Sequence, residues 1–220
     1  MSMSEPVLHS CRRCGTCCKK SSPTLHPGDR NLITEKKISV KDLFTVRNGE
    51  HVHDTISDKP GIAREEMIKI KENTREGGCI YLDQQDQTCT IYEFRPLQCR
   101  ILECWNPAPL KKLAETSRLK RSDLISDPEI SSLITAHEEK LPAEKFLALL
   151  SPGTGMTEEV LEMIGYDLHF REFLINRGII PEGEEDFYLG RPLLVIALSM
   201  GYRLEGNDET GYTLSGRKDV

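Results

Sequence analysis

No cysteine occurs anywhere between Trp105 and the C-terminal Val220. Long apolar runs are missing too: the longest, Leu193 to Leu198, is far short of the roughly 20 residues needed to span a bilayer. Aromatic residues are only 6% of the chain, with a single tryptophan, so the core must be mostly aliphatic. There is no basic excess. The net charge of −6, with a pI near 5.6, argues against a general binder of nucleic acid or anionic membrane. The opening Met-Ser-Met-Ser-Glu-Pro-Val-Leu-His-Ser lacks the basic region and apolar run of a secretory signal. The sequence also has no glycine-rich phosphate loop, no Ser/His/Asp constellation and no paired carboxylates with an evident purpose. These absences point to a cytoplasmic protein that binds neither nucleic acid nor membrane.

What is present is concentrated. The eight cysteines fall in two short segments. One reads Cys11-Arg-Arg-Cys14-Gly-Thr-Cys17-Cys18; the other carries Cys79, Cys89, Cys99 and Cys104. Cysteines kept for packing would be scattered through apolar stretches, whereas these sit among Arg, Lys, Gly and Thr. An even count permits disulfides, but adjacent and two-apart cysteines are poor loop-closing partners. In a reducing cytoplasm such thiols ligate metals instead.

Thiolates separated by two residues can converge on one ion or cluster, because a short turn brings their sulfurs toward a common centre. In Cys11-x-x-Cys14-Gly15 the glycine can take a left-handed turn, leaving backbone N–H groups aimed at sulfur. Cys11, Cys14 and Cys17 have the spacing of bacterial ferredoxin loops around a four-iron (4Fe-4S) cluster. Cys18 departs from that loop. Neighbouring side chains usually diverge, so Cys18 is expected to serve another site or to be a free thiol. A fourth ligand for the triple would come from the Cys79–Cys104 group, making the metal part of the fold. Eight sulfurs also divide into two four-thiolate zinc sites. The triple spacing, the surplus of cysteine and the lack of a Cys/His finger pattern favour an iron–sulfur cluster over zinc.

Local signals place these residues. Residues 1–10 read as a lead-in, and Asp29 to Lys37 as a short helix with Asp29 near its start. Ser39 reads as the cap of a turn through Phe44. His51 to Ser57 and Met67 to Glu72 alternate like half-exposed strands. Cys79-Ile-Tyr-Leu, a polar connection and Thr88-Cys-Thr-Ile-Tyr92 read as a β-hairpin that sets Cys79 and Cys89 on neighbouring strands. Pro96 then fixes a turn or first helical turn bearing Cys99 and Arg100, which can swing Cys99 and Cys104 back toward Cys79 and Cys89 in a plausible four-sulfur nest. Pro107-Ala-Pro109 marks a break, and the pattern beyond it is helical. Pro142 opens a helix through Leu150, closed by Ser151-Pro-Gly153. Thr157 begins another that runs to Gly178, with Leu193 to Met200 as a fully buried helix and Glu205 to Val220 as a hairpin or tail.

The cysteine motifs closely resemble the YkgJ-type cysteine-cluster family, a zinc- or iron-chelating domain. Its signature is Cys-x-x-Cys-x-x-Cys-Cys, a cysteine-containing hairpin, and a segment like Cys-x-Ile-Tyr-x-x-Arg-Pro-x-x-Cys-Arg. The matching residues are Cys11, Cys14, Cys17, Cys18 and Cys79, then Cys89, Ile91, Tyr92, Arg95, Pro96, Cys99 and Arg100. The family's last cysteine follows a Phe-Pro-like pair, and here Leu102-Glu103 precedes Cys104, a departure at that ligand. The likeness covers roughly residues 10–105. It includes flagellin N-methylase, an iron–sulfur enzyme that uses S-adenosylmethionine. By analogy alone, methyl transfer to lysine of a protein substrate is therefore an alternative function, and a structural zinc module for protein interaction is another.

Arg95 and Arg100 are candidates to stabilise anionic sulfur or bind a substrate carboxylate, against simple pairing with Glu93 and Glu103. Tyr92 reads as a packing residue. His51 and His53 read as exposed strand histidines. The run Lys111, Lys112, Arg118, Lys120 and Arg121 reads as a solvated face. The expected architecture is α+β, with a small antiparallel sheet around a cysteine-ligated metal centre followed by a mainly helical C-terminal half. Residues 1–106 would form the metal-binding region and 107–220 the helical region of one compact unit. The expected function is metal binding through Cys11, Cys14, Cys17, Cys18, Cys79, Cys89, Cys99 and Cys104, with a protein as partner or substrate.

Overall fold

The computed structural model describes residues 11–54, 59–73, 77–150, 157–207 and 211–215. The expected lead-in over residues 1–10 lies outside them. The first element is a single helical turn, α1 (Thr16–Lys20), entered through Gly15 at φ +69°. A 3-10 turn over Pro27–Asp29 runs into α2 (Arg30–Thr34), the short helix expected there. Asp29 organises its start, since its buried carboxylate accepts from the His26 N–H at 2.9 Å.

Ser39 does cap a turn, its hydroxyl accepting from the Lys41 N–H at 3.3 Å. The turn ends at Asp42, two residues before the expected Phe44, and the chain straightens into β1 (Leu43–Val46). Pairing explains the difference. The strands β2 (His51–Asp54), β3 (Lys59–Ile62) and β4 (Met67–Ile70) follow, and β1 lies antiparallel to β4 with Leu43 opposite Ile70 and Thr45 opposite Ile68. Leu43, Thr45, Ile68 and Ile70 are thereby completely buried. β2 and β3 form a second two-stranded ribbon.

The expected hairpin over Cys79–Tyr92 is replaced by a turn-rich loop with isolated bridges, Leu82 to Cys89 and Glu72 to Cys79. The polar connection is the reason. Asp83 accepts from the N–H groups of Gln85 (2.8 Å) and Asp86 (3.0 Å), and Gln87 sits at φ +55°. That tight Asx turn leaves too few residues for extended pairing. The N–H of Cys79 is spent instead on the Cys18 carbonyl, 2.8 Å away.

Helices follow. α3 (Leu97–Ile101) begins after Pro96 as expected, and α4 (Ala108–Ala114) uses Pro109 in its first turn, where the missing N–H costs nothing. Next come α5 (Pro128–Lys140), α6 (Ala143–Leu149) and α7 (Glu158–Asn176). The Thr157 hydroxyl accepts from the Val160 N–H at 3.3 Å, while the expected closure at residues 151–153 lies outside the described residues. α8 (Glu185–Leu189), α9 (Leu193–Ser199) and the hairpin of β5 (Arg203–Asn207) and β6 (Gly211–Ser215) complete the order. Small antiparallel ribbons and a largely helical remainder make the fold α+β. Contrary to the fully buried helix expected from its composition, α9 is buried on one side only. Leu193, Ile196 and Ala197 pack inward, whereas Val195 and Leu198 are 48% and 41% exposed, because only one side of the helix meets α6 and α7.

The cores are aliphatic. Leu25, Leu43, Ile68, Ile70, Ile91 and Leu119 pack with Phe187 of α8, so a C-terminal helix completes the core beneath β1. The Thr45 hydroxyl donates to the Phe187 carbonyl at 2.6 Å. Buried charges lock the two ends of the chain together: Glu50 accepts from Arg47 at 3.0 Å and from Arg191 at 2.7 Å. No helix among the described residues is long and apolar enough to cross a membrane.

Candidate metal centre

Two glycines and a proline bring remote cysteines together. Gly15 turns the chain into α1, which carries Cys17 and Cys18. Gly78, at φ +76°, lets the segment before Cys79 lie directly on that turn, and a Cβ there would stand 2.5 Å from the Cys18 carbonyl. Pro96 starts α3 and so orients Cys99. The outcome is one cavity of about 420 Å³ lined by Cys17, Cys18, Cys79, Cys89, Cys99 and Cys104, with Arg95 in its wall. Ile70, Ile91, Leu102 and Leu110 give it an apolar lining.

Cys11 and Cys14 do not line this cavity and are exposed. Their knuckle does have an N–H aimed at sulfur, from Arg13 to Cys11 Sγ at 3.4 Å, and Arg13 itself takes φ +55°. Among the described residues, no three His, Cys, Asp or Glu side chains converge closely enough to hold one ion. The sulfurs are instead gathered around one shared space. Cys18 departs from its expected divergence: its sulfur lies 3.9 Å from that of Cys17, and both face the same cavity.

The sulfurs differ in acidity. Cys18 holds its proton, raised by hydrogen bonds to Cys17 and Cys89 and by burial. Those same hydrogen bonds pull Cys17 and Cys89 down to about 6, and the Arg95 guanidinium helps both. Burial pushes Cys79 up to about 11 and raises Cys99 and Cys104. At the exposed knuckle, the Thr16 hydroxyl lowers Cys14. The cavity therefore sets two more acidic thiols, Cys17 and Cys89, beside Cys18, Cys79, Cys99 and Cys104, which hold their protons more tightly.

Arg95 lies where it can act on these sulfurs, its guanidinium 3.5 Å from the centre of the Tyr92 ring. Tyr92 is the packing residue expected, since Arg13 stacks on the same ring at 3.8 Å. Arg100 does not line the cavity. It is half-exposed and pairs at 3.7 Å with buried Asp29, not with Glu93 or Glu103. The basic run also divides. Lys111 and Lys112 face solvent, but Arg121 is buried in ion pairs with Glu66 (2.5 Å) and Glu138, contrary to a wholly solvated face. Gly78 and Asp29 went unremarked in the sequence as site-building residues. The Gly77-Gly78 pair directly before Cys79 was the available signal for the first.

Residues 10–122 match the CxxCxxCC family, described as a putative zinc- or iron-chelating domain. This cysteine-lined α+β chain belongs to that family. No curated protein and no solved structure matches it. The match extends beyond α3 and α4 to the 3-10 turn over Arg121–Asp123, so the family region includes the helix that walls the cysteine cavity through Leu110.

Proposed function

We propose that this protein carries an iron–sulfur cluster in the cavity between α1, the Cys79–Cys89 loop and α3. One observation carries the reading: six cysteines from separate stretches of chain line a single cavity of about 420 Å³. The donor set suits such a group. It is all sulfur, partly thiolate already, beside a fixed guanidinium and an apolar lining that would shield a charged core from water. The space also favours a cluster over a single zinc ion, whose four thiolates close at about 2.3 Å and leave no such volume.

The ligands would be drawn from Cys17, Cys18, Cys79, Cys89, Cys99 and Cys104. Cys11 and Cys14 would join through movement of the knuckle, which is tied to the cavity through Arg13 on Tyr92. When bound, the group supplies one-electron redox capacity and a cross-link between the two cysteine segments. Arg95 offsets the negative charge of its thiolates, and the apolar wall limits access of water.

The test is anaerobic purification followed by iron, acid-labile sulfide and zinc analysis with visible spectroscopy. Iron and sulfide in equal amounts, with broad visible absorption, is the expected result. Zinc without iron would replace the cluster by a structural metal site. A well-folded protein with neither metal would overturn metal binding in this cavity.

A further inference from the structure

The β1–β4 ribbon has two unlike faces. Leu43, Thr45, Ile68 and Ile70 enter the core, whereas the cross-strand pairs Phe44–Lys69 and Val46–Met67 lie on the opposite face. That second face bounds another cavity of about 460 Å³, within the size range of small-molecule sites. Val52 of β2 and Leu113 of α4 add to its apolar side. Lys20, Ser21, Ser22, Gln98 and Leu110 line both this cavity and the cysteine cavity, so the two adjoin.

Charge in this cavity is uneven. Four cations line it, Lys20, Lys69, Arg118 and Arg191, and Glu72 is the sole acid among the described residues that do so. Arg118 and Arg191 are already paired, with Glu65 at 2.6 Å and with Glu50 at 2.7 Å, each acid being shared with a second cation, Lys120 and Arg47 respectively. Lys20 makes no ion pair among the described residues and is exposed at the mouth.

Lys69 is the telling group. Its side chain is only 18% exposed, yet among the described residues its ammonium makes one hydrogen bond, to the Ser21 hydroxyl at 3.2 Å. Glu72 Oε1 is 3.8 Å away, and that oxygen already takes the Ser22 N–H at 2.9 Å and the hydroxyls of Ser21 and Ser22 at 3.1 Å. A buried ammonium with three donors is thus left with a distant, shared counter-charge. Burial accordingly lowers its pKa.

We propose that this cavity binds a small organic carboxylate with an apolar body. The carboxylate would meet Lys69 and Lys20, and the body would rest on Phe44, Val46 and Met67. An anion fits the charge, because four cations line the cavity against one acid, Glu72, among the described residues.

Calorimetric titration of the full chain with octanoate, 1-octanol and inorganic phosphate tests this, with metal content measured on every variant. Octanoate should bind one-to-one and about tenfold tighter than 1-octanol, the value of one charge-assisted contact. Lys69→Met should erase that preference. Val52→Trp, which adds bulk to the apolar lining, should abolish binding while leaving metal content unchanged. If Lys69→Met does not fold, Val52→Trp and the octanoate–octanol comparison on the native chain decide the matter. No octanoate binding, octanoate binding that neither variant weakens, or phosphate binding as tight as octanoate would overturn the site. Native protein that binds octanoate but carries neither iron nor zinc would count against the cluster and leave this site standing.

Discussion

Arg95 holds Tyr92 in two ways: its guanidinium stacks 3.5 Å from the ring centre, and its Nε donates to the Tyr92 carbonyl at 2.8 Å. The charge that adds to the Cys18 hydrogen bonds in lowering Cys17 and Cys89 is therefore fixed by the ring, and the same ring anchors Arg13 of the exposed knuckle. Tyr92→Leu should lose about 1–2 kcal/mol, the worth of two cation–π contacts at partly exposed positions, measured by urea denaturation. Arg95→Met should lower bound metal more than Arg95→Lys, which keeps the charge. Equal metal content in the three proteins would show that Arg95 has no bearing on the centre.

Gly78 sits where a side chain cannot. A Cβ would approach the Cys18 carbonyl to 2.5 Å and Lys19 Cα to 2.9 Å, at φ +76°. Gly78→Ala should cost on the order of 1–3 kcal/mol, from left-handed strain plus displaced backbone. It should also lower metal content, because it pushes apart the segments carrying Cys18 and Cys79. Gly77→Ala, at φ +71° but with open space around it, should show only the strain. Matching metal contents in the two variants would refute the close-approach argument.

Asp29 is a buried carboxylate that joins α2 to α3. It accepts from the His26 N–H at 2.9 Å and the Leu97 N–H at 2.7 Å, and faces Arg100 at 3.7 Å. Asp29→Asn keeps the shape but weakens charge-assisted bonds, for an expected loss of about 1.5–3 kcal/mol. Arg100→Gln, which removes only the half-exposed partner, should cost well under 1 kcal/mol. If thermal unfolding ranks these two the other way round, Arg100 has a role beyond its pairing with Asp29.

Acid should unfold the C-terminal helices through His137. Its ring is completely buried, with Nε2 2.7 Å from Asp167, which also binds Arg171 at 3.0 Å. Burial, with Arg47 and Arg171 nearby, outweighs Asp167 and pulls His137 below its ordinary 6.5. The unfolded chain therefore takes up the proton first, and stability declines as pH falls below about 6.5. His26, lowered mainly by burial, adds in the same direction. Asp167 is held below its ordinary 3.8, so its contribution is present above that value and is lost as pH falls further, through its folded pKa. In denaturation at pH 7 and pH 5, His137→Gln should show a smaller loss of stability than the parent. An identical loss would place the acid sensitivity elsewhere.

Elements with a strong local cause were legible from the chain. Pro96, Pro142 and Thr157 begin the helices they announce, and the alternation of Met67–Ile70 is that of a strand with one face in the core. β1 was missed because Leu43–Val46 follows a capped turn at once and is extended only by pairing with β4, which lies 20 residues further on. The Cys79–Tyr92 hairpin was over-read because alternation cannot report that Asp83 and Gln87 tighten the connection into a turn.

Membership of a cysteine-cluster chelating family, and the thiol chemistry that goes with it, could be read from spacing alone, since donors two residues apart are a local property of the chain. Which sulfurs meet could not. That Cys17 and Cys18 face one cavity with Cys79, Cys89, Cys99 and Cys104, while Cys11 and Cys14 stay outside it, depends on Gly78 lying against the Cys18 carbonyl. So does Arg95, and not Arg100, standing in the cavity wall depend on where the Tyr92 ring packs. Contacts between residues distant in sequence are set by how the whole chain buries its apolar surface, and no local pattern encodes that.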